Sequence, residues 1–151
     1  MASKIADLLD EMELFKGFPY AELEIIGRYL TLEEADADKV IFNEGDPGNY
    51  MMILTEGRVA IFKDTEHGKQ LLLREIEGRI IGEMALLDHE RRSATCVAET
   101  YCEMLTFTQL NLARLAVDHP AVAYRFMCSL GRLLSKRLRR TSGIMADYLG
   151  H

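Results

Sequence analysis

Glu83 and Arg92 stand nine residues apart in the run Gly82-Glu83-Met84-Ala85-Leu86-Leu87-Asp88-His89-Glu90-Arg91-Arg92-Ser93-Ala94-Thr95. An arginine carries N–H donors in a planar fork that suits phosphate, and the hydroxyl of Ser93 adds one more. The run opens on a glycine and passes through a short helix-capable piece, whose first N–H groups lack intrahelical partners. It ends in an Arg-Ser-Ala-Thr stretch that reads as the start of a strand. Such donors converge on an anion, and a phosphate suits them. A carboxylate beside an anion site needs a ligand that brings donors as well; Glu83 only accepts, and a nucleotide ribose supplies hydroxyls. Two readings remain open on the local chemistry alone: this anion site, or an ordinary strand-to-helix corner with a solvated Arg92. If the stretch from Arg92 is a strand, alternation sends Arg91 and Arg92 to opposite faces, and Arg92 is expected inward.

The same residues resemble the phosphate-binding cassette of the cyclic nucleotide-binding domain family, which includes the catabolite activator protein and the regulatory subunits of cyclic-AMP-dependent kinase. The family pattern is Gly-Glu-(Leu/Ile)-Ala-Leu, a short variable piece, then Arg-(Ala/Ser/Thr)-Ala-(Thr/Ser). Gly82, Glu83, Met84, Ala85 and Leu86, then Arg92, Ser93, Ala94 and Thr95, meet it without a gap. The departure is Arg91, where many members carry Pro or a small polar residue. Glu44-Gly45-Asp46-Pro47-Gly48, followed by Met51 to Gly57, is similar to the family's early turn and strand, so the likeness covers roughly residues 15–142.

The resemblance implies a mainly β fold with flanking helices: a jelly-roll β-barrel (double-stranded β-helix) with N-terminal helices and a long C-terminal helix. It implies that Glu83 accepts from the ribose 2′-hydroxyl and that Arg92 pairs with the cyclic phosphate. Ser93, with Gly82, Met84, Ala85 and Ala94, completes the phosphate cage, and Thr141 and Ser142 reach the base. The ligand implied is cyclic AMP or cyclic GMP, with a lean to cyclic AMP, and no cofactor. Ser93 does not decide between the two bases. In activator-like members the C-terminal helix both dimerises and closes over the purine.

The elements that must position these residues are legible in the periodicities. Residues 3–15 form an amphipathic pattern through Ile5, Leu8, Leu9, Met12 and Leu14, and Pro19 opens a second helix with Leu23, Ile26 and Leu30 on one face. Short apolar runs then follow at 40–42, 51–54, 59–62, 71–76, 94–97 and 104–108, the pattern of a sandwich or barrel. Asp46-Pro47-Gly48-Asn49 reads as a type II turn, Glu56-Gly57 as a tight hairpin and His67-Gly68 as a looser one. From Leu110 the pattern is helical. After His119-Pro120, the residues Val122, Phe126, Leu130, Leu133, Leu134, Leu138, Met145 and Leu149 form a stripe about eight turns long. That exceeds what one small barrel needs, and predicts a parallel homodimer along this helix; the alternative is that the helix folds back on its own barrel.

The 151 residues are expected to form one cyclic nucleotide-binding domain: helices over 1–30, the barrel with cassette 82–95 over 31–108, and helices over 109–149. A net charge of −6 argues against nucleic acid as the main partner. Arg125, Arg132, Lys136, Arg137, Arg139 and Arg140 read as a solvated cationic helix rather than a DNA or membrane surface. Cys96, Cys102 and Cys128 have neither disulfide-framework nor metal-site spacing and read as reduced and mostly buried. The longest apolar run, Tyr50 to Leu54, is far too short for a membrane span, and the expected location is cytoplasmic. No catalytic residues are signalled: the four histidines are scattered, and no Ser-His-Asp arrangement is evident, so an enzyme is not expected. The leading reading is a regulatory sensor acting through an unknown effector protein or its own dimer surface. The alternative is the truncated ligand-sensing domain of an activator-type transcription regulator, which carries a helix-turn-helix domain after the long helix.

Overall fold

The computed structural model describes residues 2–149. Helix α1 (Ala2–Asp10), a 3-10 turn (Glu13–Phe15) and helix α2 (Tyr20–Gly27) precede eight strands. These are β1 (Thr31–Ala35), β2 (Val40–Phe42), β3 (Tyr50–Glu56), β4 (Arg58–Thr65), β5 (Gly68–Ile76), β6 (Ile80–Ile81), β7 (Thr95–Ala98) and β8 (Cys102–Thr108). The short helix α3 (Glu83–Asp88) separates β6 from β7, and α4 (Gln109–Asp118) and α5 (Pro120–Leu149) close the chain. The side chains of Ala85, Met145 and Leu149 lie outside the described residues.

The strands form two four-stranded antiparallel sheets, ordered β1-β8-β3-β6 and β2-β7-β4-β5. This is the expected jelly-roll barrel with flanking helices. Burial explains the unbroken apolar run of β3. Met51 and Ile53 pack with Leu105 and Phe107 under the helices, while Met52 and Leu54 point into the barrel with Met104, Val59 and Cys96. A sheet covered on both faces has no polar face to alternate with. On the helical side, the Phe126 ring lies 5.2 Å from Phe107 and 6.1 Å from Phe15, and Val122, Ala123 and Leu130 join the same core. The first half of the C-terminal stripe therefore folds onto its own barrel. Polar ties reinforce it: Arg125 donates twice to Glu22, Lys136 to Glu13, and the Ser129 hydroxyl to the Leu14 carbonyl.

Several turn expectations are corrected. Glu56-Gly57 is not a hairpin, because β3 and β4 lie in different sheets. Gly57 is instead the corner where the chain changes sheet: it takes φ +94°, and a Cβ there would collide with the Tyr101 carbonyl and lie 2.8 Å from Cys102 Sγ. The tight hairpin is the one expected to be loose, with Thr65 paired to Gly68 across Glu66-His67. Near Pro47, the glycine at positive φ is Gly45, at +89°, not Gly48, and Asp46 N–H closes that turn on the Asn43 carbonyl at 3.1 Å. Two strands escaped the sequence reading. β1 is mostly exposed and carries two glutamates in five residues, held by pairing to β8, and β6 has only two residues.

Candidate functional site

The cassette folds as a corner between the two sheets. Ile80-Ile81 pair with β3, Gly82 turns at φ +78°, α3 runs over Glu83–Asp88, and His89 ends it in the left-handed region at φ 60°. The return is not a strand, contrary to the sequence expectation: Arg92, Ser93 and Ala94 lie outside the ladder, and β7 begins at Thr95. Their path is fixed by the Glu44–Pro47 turn. Gly45 N–H donates to the Arg92 carbonyl and Arg92 N–H to the Asp46 carbonyl, both at 2.8 Å, while Pro47 and Arg91 form an isolated bridge. Arg91 is exposed and lines the cavity beside it, with Nη1 donating to the Gly45 carbonyl. Arg92 points inward as expected, for a reason other than strand alternation.

Arg92 is 4% exposed. Its guanidinium carbon sits 4.2 Å from the centre of the Phe42 ring and 4.6 Å from that of Tyr50. Nη2 donates to the Tyr50 carbonyl at 2.6 Å and Nη1 to the Gly82 carbonyl at 3.3 Å, but the buried Nε has no partner. Burial pulls the guanidinium pKa below its ordinary value and pushes the Tyr50 phenol up. An arginine so held is a desolvated cation with an unused donor, which costs free energy until an anion arrives. Gly82 is required beside it: a Cβ on Gly82 would run into Arg92 Nη1.

Arg92 lines a cavity of about 310 Å³. Its other walls include Gly82, Glu83, Met84, Ser93 and Ala94 from the cassette. Phe42, Ile61, Leu73, Ile80 and Ile81 form an apolar lining, and Glu75 and Arg137 add charge. The structure thus brings together six of the nine expected site residues around one space. Ser93 is exposed, and its carbonyl accepts from Lys63 Nζ at 2.7 Å. Ala85 enters through α3, its side chain undescribed. Thr141 and Ser142 do not line the cavity; both are exposed, and the Thr141 hydroxyl donates to the Arg137 carbonyl one turn back at 3.0 Å. A helical hydroxyl satisfied in this way has no free donor to offer.

What the sequence missed is Arg137. It was read as part of a solvated cationic face, yet Nη1 donates to Glu83 Oε1 at 3.0 Å from a helix 54 residues away. Arg125 and Lys136 are likewise paired, with Glu22 and Glu13. No spacing rule links residues so distant; the signal was only that Arg137 sits one helical turn from the stripe residues Leu133 and Leu134. Phe42 was legible as a strand residue and Tyr50 as the start of an apolar run, but neither as a ring that holds a guanidinium.

The profile described as cyclic nucleotide-binding domain matches residues 32–119. The chain is 32% identical over 127 residues to the cyclic AMP receptor protein of Thermus thermophilus, covering 83% of this chain and 57% of that protein. A cyclic nucleotide-binding domain from Methylobacillus flagellatus superposes with a TM-score of 0.83 at 28% identity, over 97% of this chain and 83% of that one. Human cGMP-dependent protein kinase 2 is 33% identical over 95 residues, 62% of this chain and 12% of the kinase. The chain spans less than two thirds of the length of the bacterial regulators it matches.

Proposed function

Because this chain belongs to the cyclic nucleotide-binding domain family, we propose that it is a regulatory sensor that binds a purine 3′,5′-cyclic nucleotide, cyclic AMP or cyclic GMP, in the cavity between cassette and barrel. The observation that carries this is the buried Arg92, its Nε unpartnered, across the same cavity from the Glu83 carboxylate. The cyclic phosphate takes the guanidinium donors, with Ser93, Ala94 and the Gly82-Met84 turn around it. A ribose hydroxyl donates to the Glu83 oxygen that Arg137 leaves free, and the purine lies among Ile61, Leu73 and Ile80.

Ligand binding reaches α5 through Arg137. The helix contacts Glu83 directly, so a hydroxyl arriving on that carboxylate changes the energy of one helical position relative to others, which a population shift requires. Tyr124, Gly131 and Leu138 recur at seven-residue spacing on exposed α5 surface, and we propose this seam for a parallel homodimer that transmits the shift. An effector protein or a following DNA-binding domain would read it out.

Titration calorimetry with both nucleotides on the wild type and on Arg92→Ala tests the reading. Loss of a guanidinium from a desolvated phosphate pair costs about 2–5 kcal/mol, enough to abolish detectable binding from a micromolar site. Saturable binding lost in the variant supports the assignment, with its fold checked by circular dichroism. A wild type that binds neither nucleotide overturns it.

A further inference from the structure

Away from the cassette the cavity walls are apolar except for Glu75 and Arg137. Glu75 lies on β5 opposite Val59, two residues from Leu73, which pairs with Ile61; all three of Glu75, Leu73 and Ile61 line the cavity. Glu83 accepts from Arg137 with one oxygen, and the proposed ribose contact takes the other. Asp88 accepts from Glu90 N–H within the cassette loop, beside Arg91. Glu75 is half-buried and accepts no hydrogen bond from the described residues. Its burial raises the carboxyl pKa, and the charges of Arg79 and Arg137 offset this only in part. A half-buried carboxylate that feels Arg79, Arg137 and Glu83 but accepts no hydrogen bond carries a cost that a ligand with suitably placed donors removes.

The two purines differ in what they offer it. The Watson–Crick edge of guanine presents two adjacent donors, N1–H and the N2 amino group. A carboxylate accepts both, in the bidentate manner it uses with a guanidinium. Adenine presents one donor, the N6 amino group, next to the N1 lone pair, which faces the second carboxylate oxygen in repulsion. We propose, on the reading that this cavity takes a cyclic nucleotide, that Glu75 is the base-reading residue and selects cyclic GMP over cyclic AMP. This reverses the lean toward cyclic AMP, which Ser93 does not support against cyclic GMP.

The amide variant makes the inference sharply testable. In Glu75→Gln the carbonyl accepts from adenine N6 while the amino group donates to N1, so adenine now pairs. Guanine loses the charged contact to N1–H and N2 and keeps only a neutral pairing of N1–H to the carbonyl and the amino group to O6, so the discrimination against adenine is lost. Calorimetry on wild type and Glu75→Gln with cyclic GMP, cyclic IMP and cyclic AMP reads this directly. The wild type is expected to bind in the order cyclic GMP, cyclic IMP, cyclic AMP, with at least about tenfold between the ends. Cyclic IMP falls between because it keeps N1–H and lacks the N2 amine. In the variant, the ratio of cyclic GMP to cyclic AMP affinity should fall at least about tenfold. A wild type that prefers cyclic AMP, or a ratio unmoved by the substitution, overturns the assignment of Glu75. If either result comes with binding that Arg92→Ala abolishes, the nucleotide site itself stands. Absence of binding by all three nucleotides to the wild type overturns both.

Discussion

Arg137 Nη1 donates to Glu83 Oε1 across 3.0 Å, and this contact joins the long C-terminal helix to the first residue of the cassette helix. The pair is well shielded, with side-chain exposures of 30% and 11%. On the proposed reading, it sets the helix that would carry a signal against the carboxylate that would meet the sugar.

Replacing Arg137 with Ala leaves the buried Glu83 carboxylate without its cation. The expected cost is about 1–3 kcal/mol, or a melting temperature lower by roughly 3–10 °C for a chain of this size. A thermal melt checks it. Unchanged stability would mean that the two groups are hydrated independently and that the contact transmits nothing.

Gly82→Ala forces a left-handed backbone on a residue with a Cβ and drives that Cβ into Arg92 Nη1. The backbone term alone is about 1–3 kcal/mol. Because the guanidinium must also move from between Phe42 and Tyr50, nucleotide affinity should fall by about 100-fold or more, as for a lost charged hydrogen bond. Calorimetry on the folded variant would show it; wild-type affinity would show that Arg92 is free to relocate.

Leu138 is 68% exposed on α5, and Tyr124, 72% exposed, lies two heptads before it. The wild type is expected to sediment as a dimer at micromolar concentration and Leu138→Asp as a monomer, since a buried unpaired carboxylate opposes association. A monomeric wild type removes the seam.

Stability should also report on Glu75. Its carboxyl pKa is raised above 4.5 by burial, so the folded chain holds this proton more tightly than the unfolded chain. The destabilisation is absent below the unfolded value and grows as pH rises through the folded value. Glu75→Gln should therefore melt higher than the wild type at pH 7, with the gap narrowing toward pH 4.5. A gap independent of pH would show that burial does not penalise this carboxylate.

Much of the cassette was readable because its chemistry is local. Gly82, Glu83, Arg92 and Ser93 lie within a dozen residues, so donors, acceptor and turn glycine suggest an anion with hydroxyls without knowing the fold, and the family resemblance then points to a cyclic nucleotide. Strand positions were readable where apolar residues form longer runs, as in Met51 to Leu54, but not at the two-residue Ile80-Ile81. Strand partners were not: Glu56-Gly57 looks like a hairpin turn because two apolar runs flank it, and nothing in the residues says that the runs enter opposite sheets. β1 was invisible because Leu32-Glu33-Glu34 gains its extended form from β8, not from its own side chains. Arg137 and Glu75 were hidden for the same reason. Each gains its role from a neighbour distant in sequence, and long-range proximity has no local spelling.

The sheet order carries a consequence for how the chain reaches this state. β1 pairs with β8, Thr31 opposite Thr106, whereas the β4–β5 hairpin closes over a two-residue loop. Closing a long loop costs entropy before any contact repays it, so the hairpin is the natural first structure and the β1 edge must wait for the last strand. During synthesis the residues of β1 leave the ribosome early and remain unpaired until β8 emerges. A strand rich in glutamate suits that interval, because its charge discourages the edge pairing that would trap a more apolar one. The feature that hid β1 from sequence reading thus protects the chain while it is incomplete.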